Sequence, residues 1–432
     1  MDIKTLLNRA KTRIRYWLIS DLWIKKLVPA KIRHLFSNQV IDALATHTDV
    51  PAPYIPGKYP KGINLYGFFK AENGLAQGVK MYARALEESN IPHTLLNTDF
   101  LDWLPQNDTT FDDRLTTENK YAVNVIHINP DQWEEACGMF PRDQFNGHYN
   151  IGVWLWELEQ IPDRWIPIID YVDEVWTPSE FIAGAMRKAT DKPVTVIPYG
   201  METPYDETLT RADFGLSDDD FLVLTMYDSN SYASRKNPGA AIDAFREAYG
   251  DNPEKVKLVI KISNPKPEDL EFVEKKLVPG SYILMTDRLE RKQLNSLIRL
   301  CDVFLSLHRS EGFGLVMAEA MNLGTAAVAT HWSANAEFMP EGTACNVSSR
   351  QIPVGDAYQD APEGLTWADA DVHEAAGYLR RLKDDPAYRE EITRAGQAYI
   401  SEQLSVAACT EKISKRLDEI IQNSEIAVTK VS

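Results

Sequence analysis

The chain has 432 residues, 44% hydrophobic and 25% charged, with a formal charge of −17; that length is too great for one typical core and sets an expectation of two domains of roughly 200 residues each. No run of about 18 apolar residues marks a membrane span, and the acidic balance excludes a general nucleic-acid binder. Cys137, Cys301, Cys345 and Cys409 form no CxxC pair, which argues against a zinc knuckle or a disulfide framework and fits a reducing cytoplasm.

The opening stretch MDIKTLLNRAKTRIRYWLISDLW lacks an apolar core followed by a small-residue cleavage site, so it does not read as a signal peptide. Residues 1–36 hold nine Lys/Arg against Asp2 and Asp21, although the rest of the chain is acidic. Ile3, Leu6, Leu7, Ala10, Ile14, Trp17 and Leu18 recur at helical spacing, with Lys4, Lys11 and Arg15 on one flank and Arg9 and Arg13 on the other. Residues 1–40 therefore read as a basic amphipathic segment with two uses: lying in the headgroup region of an anionic membrane, or packing on its own domain. The first use makes the protein cytoplasmic and peripheral on the membrane's inner face.

From about Gly62 short β-rich runs alternate with helical ones. INLYGFF precedes the helical LAQGVKMYARALEES, followed by YAVNVIHI, YNIGVWLW, EVWTPS, FIAGAMRKA and VTVIPYG. The pattern restarts at FLVLTMYD and continues through GAAIDAFREAYG, VKLVIKIS, RKQLNSLIRL, DVFLSLH and TAAVATH to a long helical tail from about Asp371. Such alternation predicts parallel sheets covered on both faces. The fold class is thus α/β, with two doubly wound, Rossmann-like domains. The first spans 41–205 and the second 206–410, joined by a linker near 202–217; a terminal helix, 411–432, is free to cross back to the first. Ligands of open α/β sheets sit at the carboxyl ends of strands, so two facing sheets would share an interdomain cleft.

The stretch SEGFGLVMAEAMNLG places Glu311 in the loop after a strand and Glu319 about two turns into the next helix. Gly312 and Gly314 permit close backbone approach, and the helix start favours a phosphate. Carboxylates beside a phosphate repel it unless they grip something else, such as sugar or ribose hydroxyls, and the combination describes a sugar nucleotide. Two readings compete here: Glu319 as an exposed helix residue with Glu311 merely favouring the helix N-terminus electrostatically, or both as ligand-binding groups. The apolar neighbours Val316, Met317, Ala318, Ala320 and Met321 favour the second. Arg235 and Lys236 in SRKNP could take up the charge of a departing diphosphate, or form a solvated basic pair. Lys261, an unusual charge inside VKLVIKIS, is a second candidate cation, or snorkels from an edge strand. His127 at a strand end is a candidate catalytic contact to the transferred sugar or acceptor, or a structural histidine; Gly74 and Gly78 in the first loop are candidates for donor or acceptor contact, or simply turn glycines; Glu157 is a candidate acceptor or sugar contact, and His331, Ser333 and Asn335 are weaker sugar contacts, with His308 at the same sheet edge. The acidic runs at 218–220 and 369–371 read as turns and helix caps, and no metal site is predicted.

With these residues in view the chain resembles the retaining glycosyltransferases of family 4, which have the GT-B fold. The matching segments are ENGLAQGVKMYARAL, VWTPSEFIAGAM, VTVIPYGME, SRKNPGAAIDAF, LCDVFLSLHRSEGFG and LGTAAVATHWSANAEFM, in family order from about residue 62 to 415. The resemblance implies that Glu319 binds ribose hydroxyls, that Glu311 lies beside the donor sugar, and that the backbone of Gly312, Phe313, Gly314 and Leu315 contacts sugar and diphosphate. Lys236 fits the family's lysine. The arginine slot falls near Ser231, which leaves Arg235 as a possible substitute, and the family's first-domain histidine is replaced by WLWELE, with Trp154, Trp156 and Glu157 in its place. The implied activity is transfer of a sugar from a nucleotide-diphosphate sugar, without a cofactor, to a glycan or lipid-linked glycan with retention of configuration, in the manner of surface polysaccharide biosynthesis. A sugar-nucleotide epimerase or hydrolase, or a non-catalytic sugar-binding protein, is the alternative, separable by turnover.

Overall fold

The computed structural model describes residues 50–99, 106–133, 136, 140, 144–358 and 361–431. The basic segment 1–40 and Cys137 lie outside them. The chain divides into two compact units. The first holds the described residues up to Trp154, then Arg164–Trp176 and the chain from Ile413; the second holds Leu155–Asp163 and Thr177–Lys412.

In the first unit, β1 (Ile63–Gly67) leads into α1 (Gly74–Glu87), capped by Asn73, whose side chain accepts from the Ala76 N–H. Then come β2 (His93–Asn97), β3 (Val123–Ile126), β4 (Tyr149–Val153) and β5 (Glu174–Thr177). Within this unit the strands lie in the order β2-β1-β3-β4-β5, all parallel. Parallel strands are covered on both faces, which is why β1, β3 and β5 are buried at every position. Register is pinned by a buried polar row: Thr94 donates to Asn64, Asn64 to Asn124 and Asn124 to Asn150, each at 2.9 Å. Trp133, Trp154, Trp165 and Trp176 are fully buried in this unit.

The second unit adds α2 (Glu180–Arg187) and β6 (Val194–Val196), then restarts at β7 (Phe221–Asp228). One helical turn, α3 (Ala233–Lys236), runs into α4 (Pro238–Tyr249), followed by β8 (Val256–Ser263), α5 (Pro267–Lys276), β9 (Tyr282–Met285), α6 (Arg291–Leu300), β10 (Val303–Ser306), α7 (Leu315–Asn322), β11 (Ala326–Thr330) and β12 (Cys345–Val347). An antiparallel pair, β13 (Ser349–Pro353) and β14 (Thr366–Ala370), precedes α8 (Val372–Asp384), α9 (Pro386–Gln403) and α10 (Val406–Val431). The sheet order is β12-β11-β10-β7-β8-β9, all parallel. Val223, Leu258, Ile260, Val303, Leu305 and Val328 pack its core against Ala241, Phe245 and Leu379 of the helices.

Both units are thus doubly wound Rossmann-like sheets, as the alternating pattern predicts. In the second, strand order reverses between β7 and β10. A crevice opens outside the carboxyl ends of two strands that send their connections to opposite sides, so that edge is where such a sheet binds ligands. Among the described residues no helix is long and apolar enough to cross a membrane.

Candidate functional site

The two strands that flank the reversal in the second unit deliver the charged residues singled out from sequence. After β7 the chain turns through Tyr232, at φ +46°, into α3, and leaves it through Asn237, at φ +51°. Asparagine tolerates that left-handed conformation, and its side chain uses it to donate to the Leu307 carbonyl at 3.0 Å. The Arg309 N–H donates to the Arg235 carbonyl at 2.8 Å, and the Arg309 guanidinium to the Ser234 carbonyl at 2.6 Å. The turn after β7 is therefore fastened to the segment after β10, and Arg235 and Lys236 meet Glu311 there.

Glu311 is almost fully buried, and its two oxygens face two cations: Lys236 Nζ at 2.5 Å and Arg235 Nη1 at 3.1 Å. Burial opposes ionisation, but Lys236 and Arg235 outweigh it and hold the Glu311 carboxyl down at about 2. Burial pulls Lys236 below the usual lysine range despite Glu311. Arg235 is 5% exposed; it donates to the Ser310 carbonyl at 2.9 Å and reaches Glu157 Oε1 at 3.4 Å. The other oxygen of Glu157 accepts from the Tyr358 hydroxyl at 2.6 Å. Two carboxylates and two cations balance in one cluster. Within it Arg235 is occupied by carboxylates and a carbonyl, while Lys236 keeps 23% of its side chain exposed and has only Glu311 as an ion partner.

The loop after Glu311 has little room. The Glu311 N–H donates to Ser333 Oγ at 2.8 Å, and Ser179 Oγ donates to the Gly312 carbonyl at 2.8 Å. A Cβ on Gly312 would sit 3.0 Å from the Trp156 carbonyl, so close backbone approach demands glycine there. Gly314 adopts φ +92° as N-cap of α7, and a Cβ would meet Met317 Cε at 2.7 Å. Phe313 is buried against Tyr199 and Phe338, and Leu315 opens the helix.

Glu319 is fully buried, which removes the reading of an exposed helix residue. One of its oxygens is held by Arg291, at the start of α6; the other, Oε2, has no hydrogen-bond partner among the described residues. A buried carboxylate oxygen left without a donor costs free energy, which makes it a ready acceptor for a hydroxyl.

The remaining candidates take no part in the ion pairs of this cluster. Lys261 is buried in β8, between β7 and β9, so it does not snorkel from an edge; among the described residues it donates to the Ile262 carbonyl at 3.2 Å, and burial lowers its pKa. His331 is exposed, its backbone N–H bonded to the Val347 carbonyl. Ser333, at φ +67°, and Asn335, whose side chain donates to the Thr330 carbonyl at 2.9 Å, shape the Glu311 loop instead. His308 is buried beside the cluster, and burial pushes its imidazole down to about 4, so it is neutral at pH 7. Gly74 and His127 belong to the first unit. Gly74 opens α1 with open space where a Cβ would stand. His127 follows β3, fully buried against the edge of Tyr82, with its imidazole pushed down to about 4 by burial. Asp371 caps α8 by accepting from the Glu374 N–H at 3.0 Å. Tyr358 and Arg291 escaped the sequence reading. Neither lies in a spaced motif, and each reaches its partner from a distant part of the chain.

Residues 206–399 match the family described as Glycosyl transferases group 1. Sucrose synthase 2 of Hordeum vulgare is 28% identical over 187 residues, covering 39% of this chain and 21% of that protein. This chain therefore spans well under two thirds of that relative's length. Among solved structures, HepE of Anabaena in complex with UDP and glucose matches at 14% identity and TM-score 0.60, covering 83% of this chain and all of that one. Sucrose-phosphate synthase from Thermosynechococcus elongatus matches at 15% identity and TM-score 0.61, covering 84% of this chain and all of that one. At such identity the likeness is one of fold, two Rossmann-like units of the GT-B class, and the group 1 glycosyltransferase match falls on the unit that carries Glu311 and Glu319.

Proposed function

We propose that the protein is a retaining glycosyltransferase of family 4 that moves a sugar from a nucleotide-diphosphate sugar to a glycan or lipid-linked glycan, in surface polysaccharide biosynthesis. One observation carries the reading: the connections after β7 and β10, the strands that flank the reversal of order, bring Lys236, Arg235 and Glu311 into one cluster next to the glycine-opened start of α7. The diphosphate sits against that helix start and Lys236, the Glu319 Oε2 accepts from ribose hydroxyls, and Glu311 lies beside the donor sugar. Arg235 and Glu157 hold Glu311 in place. The reading keeps His127 as a catalytic residue, Gly74, Glu157 and His331 as acceptor or sugar contacts, and Lys261 as a donor-binding cation.

As the bond from the anomeric carbon to the diphosphate breaks, charge builds on the leaving oxygens, where Lys236 and the N–H groups at the start of α7 offset it. The acceptor hydroxyl attacks from the same face, forms the new glycosidic bond and gives its proton to the departing phosphate. No protein nucleophile and no metal enters this course.

Thermal unfolding in a panel of GDP-, UDP-, dTDP- and ADP-sugars tests the donor site, with UDP-sugars first because HepE holds UDP and glucose. A donor at 100 times its dissociation constant adds about 2.7 kcal/mol to stability, and Glu319→Ala should abolish the gain. A gain that survives the substitution would remove Glu319 from the site, and a product of inverted anomeric configuration by NMR would sink the retaining course.

The basic amphipathic residues 1–40 support a peripheral place on the cytoplasmic membrane face, near a lipid-linked acceptor. Vesicles containing anionic lipid should bind the full chain and lose it when residues 1–36 are deleted; unchanged binding would count against the membrane role.

A further inference from the structure

The Tyr358 side chain belongs to none of the motifs, yet it ends a connected path to Glu311. It lies in the connection between β13 and β14, and contacts of its neighbour Ala357, of β14 and of its own ring fix it to the site. Ser234 Oγ donates to the Ala357 carbonyl at 2.7 Å, which ties that neighbour to α3. The Ala368 N–H donates to the Arg309 carbonyl at 3.0 Å, which ties β14 to the segment two residues before Glu311. The Tyr358 ring packs edge-on against Trp156 at 5.6 Å, the neighbour of Glu157, and stacks at a tilt on Tyr232 at 4.6 Å. Its hydroxyl donates to Glu157 Oε2, Glu157 Oε1 faces Arg235, and Arg235 faces Glu311.

We infer that Tyr358 is a positioning residue: its hydroxyl fixes the rotamer of Glu157, Glu157 fixes the guanidinium of Arg235, and Arg235 sets where the Glu311 carboxylate stands. The inference deepens the transferase reading above and rests on it. The physical need is plain. Arg235 carries a planar fork of five donors in a buried site, and it has more than one carboxylate to choose from. Glu157 is 24% exposed on its side chain, so without the tyrosine it has water as an alternative partner and several rotamers open to it. A carboxylate that turns to water releases Arg235 to pair with Glu311 alone, and the Glu311 oxygens then shift relative to Lys236. Tyr358 thereby becomes part of the site, although it does not touch the donor in this scheme.

The test uses the full chain. Transfer from the donor that stabilises the wild type is measured for wild type, Tyr358→Phe, Glu157→Gln, the double variant, and Arg235→Lys with and without Tyr358→Phe. Tyr358→Phe keeps the ring and its packing, so a purely structural role leaves kcat per folded molecule unchanged. The positioning role predicts a kcat lower by about ten- to a hundredfold with the donor KM moved less than about twofold, because misplacement near the reacting centre acts on the transition state. It also predicts that the double variant is no slower than the slower single, and that Tyr358→Phe has no further effect once Arg235 is lysine. A Tyr358→Phe kcat within about twofold of wild type, or losses that multiply in the double variant, overturns the role. An active wild type with that result leaves the transferase reading standing, whereas a wild type that turns over no donor sinks both.

Discussion

Replacing Glu311 by glutamine is expected to lower sugar transfer by about 10²–10³-fold, the range seen when one preorganised charged or hydrogen-bonding group is taken from a reacting centre. The substitution keeps the volume and one carbonyl oxygen but removes the charge that Lys236 and Arg235 both face. Arg235 keeps Glu157 as its counter-ion; Lys236 loses Glu311, its ion partner among the described residues, and burial already pulls its pKa below the usual lysine range. Without the carboxylate that faces it, Lys236 is no longer held where it offsets charge on a departing diphosphate, so the loss should fall on kcat rather than on donor KM. A Glu311→Gln enzyme within about threefold of wild-type kcat would remove Glu311 from the mechanism.

The same substitution has a signature in stability that needs no substrate. The folded-state value for Glu311, about 2, lies below its ordinary value of 4.5. A depressed carboxyl contributes stability that is fully present above 4.5 and is lost as pH falls through that value toward 2, because the unfolded chain takes up the proton first. Urea unfolding of wild type between pH 5 and 3 should therefore show a steeper fall than Glu311→Gln does. Equal slopes would mean that the carboxyl is not held by the two cations.

Much of this was legible in the sequence because it rests on short-range chemistry. The strands INLYG, VNVI, VKLVIKIS and VFLS are dense in Val, Ile and Leu, and they are strands in the structure. The two glycines and two glutamates around α7 mark a loop and helix start by spacing alone. Short and half-exposed elements left no such trace: β9 is four residues of intermediate burial at a sheet edge, and α5, PEDLEFVEKK, buries only Val273. The partners of the glutamates were invisible for another reason. Tyr358 meets Glu157 across 201 positions of chain, and Arg291 meets Glu319 from a helix whose first residues read as an ordinary charged surface. Pairings of that kind are set by where two connections land on a sheet edge, and a single sequence carries no period that announces them. The same holds for Arg235, which reads as a phosphate cation in sequence and is surrounded by carboxylates in the fold.

A carboxylate of the first unit that no motif contains should prove more costly to remove than any surface charge. Glu174, on β5, is fully buried and accepts hydrogen bonds from Arg416 Nε at 2.9 Å and Nη2 at 2.8 Å, from the Tyr149 hydroxyl at 3.0 Å and from Trp176 Nε1 at 2.9 Å. Arg416 lies on α10, where Ile413, Leu417 and Ile420 form the buried stripe, so the bidentate pair locks the end of the chain onto β5. Glu174→Ala leaves a hydroxyl and an indole N–H without that acceptor, and leaves the Arg416 guanidinium to Glu419, 2.7 Å away on the half-exposed side of α10. Breaking a buried pair from one side costs about 3–5 kcal/mol, and the loss should appear in urea unfolding followed through tryptophan fluorescence. Replacing Glu174 and Arg416 together by methionine should recover a large part of it, since an apolar pair of similar volume leaves no charge stranded. A single-variant loss under about 1 kcal/mol would mean that water reaches the pair and screens it as at a surface. A double variant as unstable as Glu174→Ala would instead place the cost on Tyr149 and Trp176, whose donors stay unanswered in both.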